Sequence, residues 1–284
     1  MTIYAICGAS GQLGHLVLDA LLRKVPAANV VALARDPAKL ADYAAKGVEV
    51  RAADYDAPET LAPALAGVDR LLLISGSAIG QRPRQHQAVI DAAKQAGVGY
   101  MAYTSILHAD RSPIKLGEEH RQTEAALAAS GLSHDLLRNG WYNENYVFSL
   151  PAQIEAGVIT GAQGDGRINS ASRKDLAEGA AAVLLEGKGG DIYELAGDTG
   201  WTLAEFAAEL SRQSGKPVAY VNMGEEDHAQ SLIAAGFPEY AARVIANSAY
   251  STSLGALEET GGTLGKLIGR PTTPIAETIA EALR

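Results

Sequence analysis

Tyr4-Ala5-Ile6-Cys7-Gly8-Ala9-Ser10-Gly11-Gln12-Leu13-Gly14 runs from a short apolar segment straight into a glycine-rich turn, with glycines three apart at Gly8, Gly11 and Gly14. The apolar half reads as a buried strand and the turn as the entry to a helix, the arrangement that cradles nucleotide phosphates. A side chain at Gly8 would obstruct the sharp turn, and one at Gly11 would block backbone approach to a pyrophosphate. One at Gly14 would hold the helix off the sheet. The helix N-terminus then turns free N–H groups and a partial positive charge toward an anion, with Ser10, Gln12 and Leu13 as further contacts. A plain helix-entry turn has the same pattern, so the residues downstream must decide.

Sixteen residues past Gly14, Val30-Val31-Ala32-Leu33-Ala34 reads as a second buried strand and ends at Arg35. In nicotinamide-binding folds the residue about 20 positions after the glycines reaches the adenosine ribose; a carboxylate there binds the 2′-hydroxyl and an arginine accommodates a 2′-phosphate. Arg35 therefore points to NADP(H). Asp36, next in the chain, is the competing ribose ligand and would suit NAD(H). A solvated charge at a strand end is the third reading of Arg35.

The chain has 284 residues, 47% hydrophobic and 20% charged, ordinary for a globular protein with a sizeable core. A net charge of −9 and the lack of a basic patch disfavour nucleic acid as a partner. No apolar run approaches the ~18 residues of a membrane span, and the N-terminus lacks a signal-peptide layout, so a cytoplasmic location is expected. The single cysteine, Cys7, excludes an internal disulfide and reads as a small core residue. His108, His120, Glu118, Glu119 and Glu124 do not fall at zinc-binding spacings, so no metal is expected.

Strand-like runs at Ile3–Cys7, Val30–Ala34, Val48–Ala53, Arg70–Ile74, Tyr100–Thr104, His134–Leu137 and Ile192–Leu195 alternate with helical patterns near 12–24, 38–46, 58–66, 83–96, 115–130, 174–186 and 203–214. Pro37, Pro58 and Pro83 suit first helical turns, and Gly47, Gly97 and Gly131 suit C-terminal caps. Such alternation predicts an α/β fold, a doubly wound parallel Rossmann sheet with helices on both faces. Residues 139–165 and those after Gly197 break the pattern and predict a smaller, mostly helical C-terminal lobe. The expected division is a Rossmann domain of 1–138 plus about 167–196, and a substrate-binding lobe of about 139–166 and 197–284 over the cofactor cleft.

Taken together, Gly8–Gly14 with its Gly-x-x-Gly-x-x-Gly spacing, Arg35, Ala53-Asp54-Tyr55, Leu71-Leu72-Leu73-Ile74-Ser75 and Leu137-Arg138-Asn139-Gly140-Trp141-Tyr142-Asn143-Glu144-Asn145 resemble the NmrA-like atypical short-chain dehydrogenase/reductases. With Tyr103-Thr104-Ser105, Glu119-His120 and Tyr193-Glu194-Leu195-Ala196-Gly197-Asp198, the resemblance extends over nearly the whole chain. It is closest to the family's quinone-reducing and dye-reducing members. It implies NADP(H) as cofactor, a small-molecule quinone as substrate and two-electron hydride transfer. It also carries over Ser75 and the loop Asn139, Gly140, Trp141, Tyr142, Asn143 and Glu144 as cofactor-binding residues. Arg173 reads either as a further contact or as part of a helical first turn, with Ser172 as cap and Asp175 against the dipole.

The chemistry has one notable absence. Short-chain dehydrogenases pair a tyrosine acid with a lysine four residues on, and here Lys115 is preceded at that spacing by Arg111. Tyr103 and His120 are the only catalytic candidates; the resemblance aligns His120 with the missing lysine, against a reading as a partly exposed surface histidine. Hydride addition to a quinone yields an oxyanion delocalised into an aromatic ring, so positioning outweighs acid catalysis, and proximity alone supplies about 7–11 kcal/mol. Tyr103, Trp141, Tyr142 and Tyr146 are candidate aromatic walls for the acceptor, each with core packing as its alternative. A second class of function stays open, a non-catalytic NADP(H)-sensing regulator of the NmrA type. The physiological acceptor, proton donor and oligomeric state are left undetermined.

Overall fold

A computed structural model describes all 284 residues. Its strands are β1 (Tyr4–Cys7), β2 (Val30–Ala34), β3 (Glu49–Ala52), β4 (Arg70–Leu73), β5 (Tyr100–Ile106), β6 (Ser133–Asn139), β7 (Val158–Gly161), β8 (Ile192–Leu195) and β9 (Ala219–Asn222). The helices are α1 (Gln12–Leu22), α2 (Ala41–Ala45), α3 (Leu61–Ala64), α4 (Arg82–Ala96), α5 (Gly117–Ser130), α6 (Glu144–Val147), α7 (Leu150–Ala156), α8 (Arg173–Glu186), α9 (Leu203–Ser214), α10 (Glu225–Ala234), α11 (Glu239–Ser253), α12 (Thr263–Ile268) and α13 (Ile275–Ala282).

Seven strands form one sheet in the order β3-β2-β1-β4-β5-β6-β8, the doubly wound Rossmann arrangement. The chain steps outward from β1 in both directions, so β1 sits at the topological switch point, with β2 on one side and β4 on the other. All five residues of β2 and all seven of β5 are buried, because helices cover both faces of a parallel sheet and leave no polar side for alternation. Pro37, Pro58 and Pro83 do open helical turns, and Gly47, Gly97 and Gly131 take positive φ where their helices end.

The chain divides into two compact units. The first comprises Met1–Ile106, Glu119–Asn139 and Arg173–Tyr193; the second comprises Leu107–Glu118, Gly140–Ser172 and Glu194–Arg284. Residues 107–118 and 167–172 thus group with the second unit, whereas their sequence neighbours had suggested the first. The second unit also contains strands that the pattern did not announce, β7 and β9, paired in parallel from Val158 opposite Ala219 to Gly161 opposite Asn222. Its helix α9 starts in a full capping box, Thr202 accepting from Glu205 N–H while the Glu205 side chain accepts from Thr202 N–H. No helix is long and apolar enough to cross a membrane.

A tight main-chain constraint lies where β1 meets α1. A Cβ on Gly14 would fall 2.4 Å from Gly8 O and 2.7 Å from Ala9 Cα, both main chain. Gly14→Ala is therefore expected to destabilise the protein by about 1–3 kcal/mol through forced separation of helix and turn, measured as a lower urea midpoint at unchanged m. Wild-type stability in Gly14→Ala would show that the turn gives way without cost.

Candidate functional site

In the first unit, the glycine turn is built so that its main chain faces outward. Gly8 adopts φ +77°, a left-handed conformation that frees the turn from β1, and Ala9 N–H is held on Leu33 O at 3.1 Å. Gly11 caps α1 without a side chain, and the first intrahelical bond is His15 N–H to Gly11 O at 3.0 Å. The N–H groups of Gln12, Leu13 and Gly14 precede that bond and sit at the positive end of the helix dipole. Gly11 and Gln12 are exposed and Ser10 half-buried, while Leu13 is turned into the core.

At the end of β2, Arg35 is exposed and its charge reaches Asp56 by Coulomb attraction. Asp36 is committed elsewhere: its Oδ1 accepts Ala38 N–H at 3.1 Å and caps the 3-10 turn Pro37–Leu40. Arg35 is thus the freer of the adjacent pair to meet a ribose phosphate. Next to β1, β4 leads into Ser75, whose N–H is held by Thr104 Oγ1 at 2.8 Å. At the end of β6, Asn139 is 6% exposed, yet neither its Oδ1 nor its Nδ2 has a hydrogen-bond partner. Leaving both amide atoms of a buried side chain unmet is costly, and a ligand amide or hydroxyl would satisfy them. Arg173 is half-buried at the start of α8.

Tyr103 and His120 face each other in the core of the first unit. Tyr103 is fully buried and its hydroxyl shares a hydrogen bond with His120 Nδ1 at 2.8 Å; its ring lies edge-on to His86, with ring centres 5.4 Å apart. Of the readings open for Tyr103, the geometry is that of core packing. His120 is 5% exposed, so the expectation of a partly exposed histidine is corrected: α5 turns it inward because the Tyr103 hydroxyl needs a partner. Burial, followed by repulsion from Arg82, lowers His120 to about 3 and His86 to about 4, while burial pushes the Tyr103 hydroxyl well above its ordinary range.

In the second unit, the loop after Asn139 is held by main chain and by one buried amide. Gly140 N–H donates to Leu195 O at 2.7 Å, and Asn143 N–H to Ala171 O at 2.9 Å. Asn143, fully buried, accepts from Ser170 Oγ at 2.6 Å and donates to Thr278 Oγ1 at 3.0 Å and Thr273 O at 3.2 Å. Ser170 in turn accepts from Trp201 Nε1 at 3.1 Å. The Asn143 side chain is therefore spent on the protein itself, and Ser170, Trp201 and Thr278, which the sequence did not single out, are its partners. Trp141, Tyr142 and Glu144 are half-buried around it. Tyr146 packs edge-on against Trp201, ring centres 4.7 Å apart, with burial raising its hydroxyl.

A family model described as NAD(P)H-binding matches residues 8–186, from the first glycine of the turn to the end of α8. The chain belongs to this NAD(P)H-binding family. Within it, the chain is 53% identical to quinone oxidoreductase 2 of Escherichia coli K12 over 97% of both chains. The crystal structure of the E. coli NADPH-dependent quinone oxidoreductase QOR2 complexed with NADPH superposes with a TM-score of 0.98 at 52% identity, covering 99% of this chain and all 100% of that one. Triphenylmethane reductase of Citrobacter sp. complexed with NADP(H) follows at TM-score 0.94 and 40% identity, covering 98% and 99%. These likenesses bear out the expected atypical short-chain reductase fold and its place in the NAD(P)H-binding family.

The buried histidines make a pH prediction. Because His86 and His120 are held neutral in the folded protein, the unfolded chain binds more protons below its own histidine range. Their contribution is complete above about pH 6.5 and is lost as pH falls through about 4 for His86 and about 3 for His120. Urea midpoints should fall over that interval, and His120→Gln should flatten the fall. An unchanged slope would show that His120 is protonated in the folded state.

Proposed function

We propose that this chain is an NADPH-dependent reductase that passes two electrons, as hydride, to a quinone. What carries the reading is the likeness to the E. coli quinone oxidoreductase over essentially its full length, including the form complexed with NADPH. The residues fit that cofactor. The main-chain cradle of Gly8–Gly14 suits a pyrophosphate, exposed Arg35 a 2′-phosphate, and the unmet amide of Asn139 a polar group of the nicotinamide half.

Bound NADPH supplies the hydride, and quinone, hydride and one proton give the hydroquinone. The chain's own part is orientation. Tyr103 and His120 are engaged with each other in the core, so neither is assigned as the proton donor. Trp141 and Tyr146 are the aromatic side chains we assign to the acceptor, which a flat ring orients more than it tightens. Asn143 positions the loop that bears Trp141 through its bonds to Ser170, Thr273 and Thr278. The NmrA-type sensor is the less favoured reading, since the quinone oxidoreductase at 53% identity and the triphenylmethane reductase at 40% are both redox enzymes by name.

Mixing the protein with NADPH and a simple benzoquinone or naphthoquinone should bleach the near-ultraviolet band of reduced nicotinamide with equimolar hydroquinone formed. Tight NADPH binding without turnover across a quinone panel would favour the sensor. Arg35→Ala should weaken NADPH by about tenfold or more and leave NADH nearly unchanged, as one lost charge-assisted phosphate contact costs ~1.5–3 kcal/mol. Equal losses for both cofactors, read by titration calorimetry, would remove the 2′-phosphate assignment.

A further inference from the structure

β1 and β4 run side by side with Cys7 opposite Leu73, so the chain leaving β4 lies against the glycine turn; a Cβ on Gly8 would fall 3.4 Å from Ile74 Cβ. That departing loop, residues 74–81, has little main-chain bonding of its own, namely Ile79 N–H to Ser77 O and Gln81 N–H to Ala78 O. Side chains hold it instead. Gly76 N–H donates to His86 Nε2 at 3.0 Å, Arg82 Nε donates to Gly76 O, and Gly80 N–H donates to Glu119 Oε1 at 2.5 Å. The other Glu119 oxygen pairs with Arg82 Nη1 at 3.0 Å, with the side chains 15% and 8% exposed.

His86 is the centre of this arrangement. Fully buried, it accepts at Nε2, so Nδ1 carries the proton and donates to Thr123 Oγ1 at 3.0 Å; the Thr123 hydroxyl in turn donates a hydrogen bond to Glu119 O at 3.0 Å. Glu119 and Thr123 stand one turn apart on α5, and the loop is thereby tied to that helix at both its Gly76 and Gly80 ends. Only a neutral imidazole accepts an N–H bond, and burial beside Arg82 keeps His86 neutral well below pH 7. A buried ion pair such as Arg82–Glu119 adds little net stability but fixes geometry.

We propose that His86, seconded by Glu119, is a positioning residue for NADPH, locking the Ser75–Gly76 main chain as the wall beside the glycine cradle. It touches no reacting atom and acts through Gly76. The inference rests on NADPH being the cofactor, as argued above.

The test compares His86→Phe, which keeps a ring against Tyr103 but neither accepts nor donates, with His86→Gln, which keeps an acceptor for Gly76 and a donor for Thr123. His86→Phe should raise the NADPH dissociation constant about tenfold, the size of one unmet buried hydrogen bond, with kcat at saturating NADPH within about threefold of wild type. His86→Gln should recover most of the affinity. A folded His86→Phe that binds NADPH like wild type overturns the proposal, and so does a His86→Gln as weak as the phenylalanine variant, which would make ring packing the cause. Should His86→Phe not fold, Glu119→Gln decides: weaker NADPH binding at near-native kcat supports the lock, wild-type affinity refutes it. Failure of the wild type itself to bind NADPH would instead strike the functional reading above.

Discussion

The close approach of α1 to the turn after β1 is the constraint on which the rest depends. Gly14 lies so near Gly8 O and Ala9 that no side chain fits between, and this contact aims the open end of the helix over the carboxyl end of β1. Since β1 is the switch strand, the ends of β2 and β4 flank the same spot, bringing Arg35 and the Ser75–Gly76 main chain beside the cradle. One packing requirement thus brings the glycine turn, Arg35 and the Ser75–Gly76 main chain to one end of the sheet.

Buried polar groups divide by whether the protein itself satisfies them. Tyr103 with His120, His86 with Gly76 and Thr123, and Asn143 with Ser170 and Thr278 are closed sets. Such sets stiffen the scaffold, while burial and the Arg82 charge hold the two histidines neutral. Asn139 differs from these sets, being buried with both amide atoms unmet. Residues most conspicuous in the sequence as chemistry, Tyr103 and His120, turn out to be framework. A quinone acceptor asks little of a dedicated acid: the charge formed by hydride addition is delocalised within the product, so the reaction asks the protein for alignment above all.

Much of this was legible in the chain itself. Glycines at spacing three after an apolar run, Arg35 at the end of the next strand, and prolines and glycines at helix boundaries are local signals, because turn geometry and strand burial are set by neighbouring residues. They determined the parallel α/β fold and the glycine turn beside its switch strand. The tertiary structure alone decided the rest. β7 and β9 are four-residue strands whose pairing joins segments some sixty residues apart, and their partly exposed residues carry little hydrophobic periodicity. Whether Tyr103 packs in the core, whether Asp36 is free or spent on a turn, and which loop His86 holds all depend on partners distant in sequence or on the direction a side chain takes. No local pattern encodes either, because a buried hydrogen bond is specified by the two groups that the folded chain brings within about 3 Å.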